Sequence, residues 1–152
     1  MHEQVKAMLA ARRGFAVAAA GCGKTELLGR IVAHPDSGRQ LLLTHTHAGV
    51  AAIRKRLNDL QVPTAKYHLD TIAGWCLRYG ASYPAISGLN PNAEAQPDWQ
   101  ATYPGAERVL RTGLGQRILQ ESYDGVLVDE YQDCSCQQHS LIEAIAHHLP
   151  CR

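Results

Sequence analysis

Three short apolar runs most constrain what this chain can fold into. They are "GFAVAA" at 14–19, "QLLLTH" at 40–45 and "DGVLVDE" at 124–130. Each has the length of a strand and is apolar without alternation, the pattern of a strand buried on both faces. Stretches of helical spacing lie between them. "KTELLGRIVAH" puts Leu27, Leu28, Ile31 and Val32 on one face, and Pro35 closes it. "AGVAAIRKRLNDL" aligns Val50, Ile53, Leu57 and Leu60, and leaves Arg54, Lys55 and Arg56 outward. Residues 2–12, "LDTIAGWCLRY" with Asp70 or Thr71 as cap, and "CQQHSLIEAIAHHL" ending at Pro150 read as further helices. Strands that alternate with helices predict an α/β fold, with a mostly parallel sheet covered on both faces. Residues 80–106 carry Pro84, Pro91, Pro97 and Pro104, so 80–120 reads as a loop-rich insert with one or two short helices in "GAERVLRTGLGQRILQES".

The 152 residues make one domain. No run of about 18 apolar residues is present, and "MHEQVKAMLAARR" has no apolar signal core, so neither a membrane span nor a secretion signal is expected. Five cysteines, an odd number, with no paired C-x-x-C sets, point away from a disulfide framework and a zinc knuckle. A reducing, cytoplasmic setting is the expectation. Net charge is +1, but residues 1–80 carry +6 and residues 81–152 carry −5. A basic first half suits phosphates, of a nucleotide or of a nucleic acid.

Ligands of parallel α/β sheets sit at the carboxyl ends of strands. Two candidate motifs fall there. After "GFAVAA" comes "AAAGCGKT", a variant of G-x-x-x-x-G-K-[ST] with Ala18 in place of the first glycine. A glycine turn between strand and helix points backbone N–H groups into one concavity, and the helix start adds positive potential. The phosphate-binding set is then Ala18, Ala19, Ala20, Gly21, Cys22, Gly23, Lys24 and Thr25. Lys24 reaches the outer phosphates, and the Thr25 hydroxyl ligates Mg²⁺. The second motif closes "GVLVDE". Asp129 is placed to hold Mg²⁺ through water, and Glu130 to orient or deprotonate an attacking water. Each motif alone has a plain reading, as a glycine turn and as a solvated acidic strand end. Together they supply phosphate grip, metal anchor and base.

Four segments in order resemble the UvrD/Rep-type superfamily 1 DNA helicases. They are "AAAGCGKTELL", "LLLTHTHAGVAAIRKRL", "TIAGWCLR" and "VLVDEYQDCSCQQHSLI". The resemblance implies a three-layer P-loop NTPase (RecA-like) domain, with ATP and Mg²⁺ as cofactors. It also implies that Gln4 reads adenine, and that Thr44, His45, His47 and Trp75 face single-stranded DNA. His45 and Trp75 stand at the family's aromatic positions. His47 replaces its usual asparagine, and Ala73 and Gly74 replace a His-Ser pair. The family's second motor domain and its arginine fingers are not represented here, so the chain alone is expected to bind ATP with weak or no hydrolysis and no unwinding.

The family's strand after the "DEYQD" helix inserts between the phosphate-loop strand and the acid strand. The chain reads as stopping at Arg152, before that strand. The expectation is therefore an incomplete sheet, finished by the missing helicase domains or by a partner chain. The alternative reading is a non-motor, nucleotide-gated module of a DNA repair or plasmid-related complex. A P-loop kinase is a third class, disfavoured by "DEYQD" and by the lack of a lid-like arginine cluster.

Overall fold

The computed structural model describes residues 2–17 and 23–152. Helix α1 spans His2–Ala10, and α2 spans Lys24–Ala33. Strand β1 (Gln40–Thr44) leads through α3 (His47–Asp59) to β2 (Tyr67–Thr71), which runs directly into α4 (Ile72–Ala81). A short α5 (Pro84–Ser87), α6 (Trp99–Leu110) and α7 (Gly113–Ser122) precede β3 (Gly125–Val128). A single 3₁₀ turn over Tyr131–Asp133 then leads to α8, Cys136–His148.

The fold is α/β, with strands in the order β2-β1-β3 and all pairings parallel. In the register, Leu42 lies opposite Leu69 on one side and Leu127 on the other. β1 is central, and every one of its residues is buried, which is why its sequence is apolar without alternation. Its side chains divide between two cores. Leu41 and Leu43 join Val126, Ile72, Leu110 and Ile145 under α4, α6 and α8. Leu42 and Leu127 join Val5, Ile31, Ile53 and Leu57 under α1, α2 and α3. The result is three layers, helix–sheet–helix. No helix of the described residues is long and apolar enough to cross a membrane.

Helix starts follow local chemistry. Thr46, Thr71 and Thr112 each accept a backbone N–H two or three residues on, and Asp98 does the same for α6. Ser135 and Gln138 form a reciprocal capping box at α8. Both residues lie in the segment "VLVDEYQDCSCQQHSLI", downstream of its two strand-end acids.

Two expectations need correction. "GFAVAA" is not a strand over 14–17, and Phe15 and Val17 stand 86% and 88% exposed. Its remaining residues, Ala18 and Ala19, lie outside the described set. The cause is the neighbour: a strand needs a ladder, and here only Arg13 finds one, a parallel bridge to Cys151. After α8, Cys151 makes isolated parallel bridges to both Arg13 and Val126, and so lies wedged between the N-terminal segment and β3. β2 was not anticipated. Finally, 80–120 is largely helical, with Pro104 inside α6.

Beyond Cys151 the wedge opens into a groove of about 660 Å³. Phe15, Val17, Leu28 and Ile142 line its apolar part, and Lys24, Asp129 and Glu130 its polar end.

Candidate functional site

From β1 the chain goes to β2 on one side, then returns across β1 to place β3 on the other. At such a reversal the loops leaving neighbouring strands diverge and open a crevice at their carboxyl ends. His45 leaves β1 there, and Asp129 and Glu130 leave β3.

Gly23 caps α2 at φ 80°, ψ 20°, a left-handed conformation that glycine adopts without the Cβ penalty. Lys24 is the first helical residue, and its ammonium lies 3.0 Å from Glu130 Oε1 and 3.2 Å from Oε2. The two residues are 106 positions apart in the chain. Thr25 follows on the first turn of α2, half-buried.

The acidic end is held from several directions. The Asp129 N–H donates to the Leu43 carbonyl at 2.8 Å, extending the β1–β3 ladder by one residue. Burial raises the Asp129 carboxyl above its ordinary value, and the neighbouring Glu130 charge adds to this. The Glu130 carboxyl is lowered, first by the Gln132 amide that donates to it and then by Lys24. Adjacent acids are thus driven in opposite directions, Asp129 by its surroundings and Glu130 by its donors.

Glu130 is also in the left-handed region, at φ 53°, ψ 43°. Among non-glycine residues this conformation costs free energy and persists only when neighbours hold it. Two groups meet its carbonyl. The Asp133 N–H donates at 2.9 Å, and His45 Nε2 lies at 3.1 Å. Because a carbonyl oxygen only accepts, Nε2 carries the hydrogen. Cys134 Sγ is 3.7 Å from the same nitrogen.

The structure thus brings together Gly23, Lys24, Asp129, Glu130 and His45. Ala18, Ala19, Ala20, Gly21 and Cys22 lie outside the described residues. Gln4 is exposed on α1 and is not among the groove's lining residues, whereas Met8, one turn on, is. Thr44 is buried at the end of β1, and His47 is exposed at the start of α3. Trp75, expected to stack on a base, is instead 3% exposed, its ring stacked on Tyr79 at 4.7 Å within the core. Of the four residues expected to face single-stranded DNA, His47 is exposed and His45 half-buried, and the other two are buried. Sequence reasoning missed Gln132 and Cys134 as supports of the acidic turn. Gln132 stood inside the quoted motif, while nothing in the sequence pointed from Cys134 to His45.

Lys24 and Asp129 lie at the polar end of the groove, an ammonium and a carboxylate of the types that a magnesium–nucleotide pair takes. Mg²⁺ keeps several waters and takes phosphate oxygens, so it needs one or two protein ligands. Among the described residues no group of three or more His, Cys, Asp or Glu side chains gathers into a complete protein cage. Asp129 and Thr25 would be the protein's ligands, and Lys24 its charge partner for phosphate. Scanned against protein-family models and against curated proteins, the chain matches none.

Proposed function

We propose that this chain is an ATP-binding domain of the P-loop (RecA-like) type, taken from the UvrD-like DNA helicases. The observation that carries the proposal is the convergence of Lys24 on Glu130 at the carboxyl end of β3, beside Asp129. A lysine at the first turn of a helix and two acids at a parallel strand end are what phosphate grip and metal anchoring require.

In this reading the α2 N-terminus and Gly23 present backbone N–H groups to phosphate. Lys24 leaves Glu130 and donates to the outer phosphates. The Thr25 hydroxyl and the Asp129 carboxylate would hold the metal. Bound Mg²⁺ supplies charge neutralisation on the phosphate oxygens. Glu130, freed from Lys24 and held by Gln132, orients a water and accepts its proton. His45 and His47 offer a small contact to single-stranded DNA. In the apolar groove, an extended segment of a partner would complete the sheet beside Cys151.

The burial of Trp75 and Thr44 favours a second reading within the same nucleotide chemistry. A domain with so small a nucleic-acid face serves as a nucleotide-gated assembly module, not as a motor.

The test is nucleotide-dependent thermal stabilisation. At a hundredfold excess over its dissociation constant, a ligand of the folded state adds about 2.7 kcal/mol. In a domain of this size that raises Tm by about 5–10 °C. MgATP should produce this shift, Lys24→Ala should abolish it, and Thr25→Ala should remove only its magnesium-dependent part. No shift in the unsubstituted chain would reject the proposal.

A further inference from the structure

The proposed mechanism requires Lys24 to be free, yet Glu130 occupies its ammonium at 3.0 Å. That contact depends on where the Glu130 side chain is aimed, and the aim is set by a backbone conformation that glutamate disfavours. The turn around Glu130 does not fix this conformation with local bonds alone. His45 arrives from the opposite side of the crevice, from the loop after β1, and donates to the Glu130 carbonyl at 3.1 Å. Gln132 donates to Oε2 of the carboxylate, an oxygen that Lys24 also contacts at 3.2 Å.

We propose that His45 is a positioning residue that holds Glu130 in its left-handed conformer, so that the Glu130 carboxylate latches Lys24 and competes with phosphate for it. The latch is autoinhibitory. It keeps an unpaired lysine from taking adventitious anions, and any ligand must displace a carboxylate that is already in place. Release needs only that Glu130 relax toward the right-handed region, which turns the carboxylate off Lys24. The inference deepens the phosphate-site reading, in which Lys24 is the phosphate contact.

The experiment is amine-selective acetylation of the nucleotide-free chain, with the Lys24 peptide followed by mass spectrometry. Lys55, 80% exposed at its side chain and paired only with Asp59 on the surface of α3, is the reference for an accessible amine. Lys66, which donates to the His34 carbonyl at 2.6 Å, reports on the intact fold. Lys24 should react more slowly than Lys55 in the unsubstituted chain. His45→Phe keeps a ring but loses the donor, and should speed Lys24 labelling about tenfold, the order by which a non-glycine residue disfavours the left-handed region. His45→Gln places an amide donor near the Nε2 position and should restore protection. Glu130→Ala should speed labelling as much as His45→Phe, and the double variant no further.

Labelling of Lys24 that His45→Phe leaves unchanged, that His45→Gln fails to restore, or that adds up in the double variant would overturn the proposal. Should Lys66 also become reactive in His45→Phe, long-range ¹⁵N–¹H correlation on the unsubstituted chain decides. In the neutral imidazole the His45 hydrogen must sit on Nε2, and an Nδ1–H tautomer would overturn the latch. None of these measurements uses nucleotide. A working latch in a chain that binds no ATP would reject the phosphate reading alone.

Discussion

Removing Cys151 and Arg152 takes away the wedge between β3 and the N-terminal segment, and its cost can be worked from the bonds they make. Cys151 donates to the Arg12 carbonyl at 3.0 Å and accepts from the Gly14 N–H at 3.1 Å. Arg152 donates to the Val126 carbonyl at 2.9 Å and accepts from the Val128 N–H at 3.1 Å. The Arg152 guanidinium adds bonds to the Ala11 carbonyl at 3.0 Å and the Leu9 carbonyl at 2.8 Å, at the end of α1. A backbone bond contributes about 1 kcal/mol net, and the exposed partners recover part of that from water. The truncation should therefore cost about 3–5 kcal/mol, a large share of the roughly 5–15 kcal/mol that holds a domain. With a urea slope of about 2 kcal/mol/M, the unfolding midpoint should fall by about 2 M. Trp75, stacked in the core, is the fluorescence probe. Arg152→Ala leaves the backbone pairing in place and should cost less than half as much. A truncated chain whose midpoint moves by under about 0.3 M would refute the reasoning, because the wedge would then not bear on the sheet.

Other expectations are smaller in scope. His68 is lowered from its ordinary 6.5, mainly by burial, with Arg39 and Arg78 adding to this and Asp70 opposing. The unfolded chain then binds that proton more tightly. The neutral imidazole's contribution is full above pH 6.5 and is lost as pH falls through the lower folded value. Denaturant titrations across that window should show the loss, and His68→Gln should flatten it. Gly38 stands at φ 63°, and a Cβ there would run into the Asp124 carboxylate. Asp124 in turn accepts the Arg39 N–H at 2.7 Å. Gly38→Ala should lower stability by about 1–3 kcal/mol by urea unfolding. Asp129 is raised by burial, so its charge is a liability in the nucleotide-free fold. Asp129→Asn should raise Tm at neutral pH while weakening magnesium-dependent nucleotide binding, and a lowered Tm would contradict the assignment.

Much of the architecture was legible because burial on both faces leaves a plain mark. "QLLLT" can hardly be anything but a central strand, and α3 shows its stripe in Val50, Ile53 and Leu57. β2 was not legible, because "YHLDT" is half polar and its last residue, Thr71, is also the cap of α4. α6 was hidden by Pro104, which sits among residues whose buried face is Thr102, Ala106 and Val109. "GFAVAA" misled in the other direction. Its apolar run is a property of the segment, but a strand is a property of a pair, and the bridge to Cys151 falls on Arg13, just before its described part. At the site, Lys24, Asp129 and Glu130 could be picked out from motifs. The contact between His45 and the Glu130 carbonyl could not, since it depends on a left-handed residue that no sequence pattern marks. Trp75 marks the limit for aromatics, because the same residue suits a core and a stacking platform.

Isothermal titration of the whole chain with MgATP tests the central claim most directly. The unsubstituted chain should release heat with one-to-one saturation, and Lys24→Ala should lose affinity by tenfold or more, about 1.4 kcal/mol. An unsubstituted chain that gives no binding heat, or a Lys24→Ala chain that binds equally well, would contradict the phosphate site.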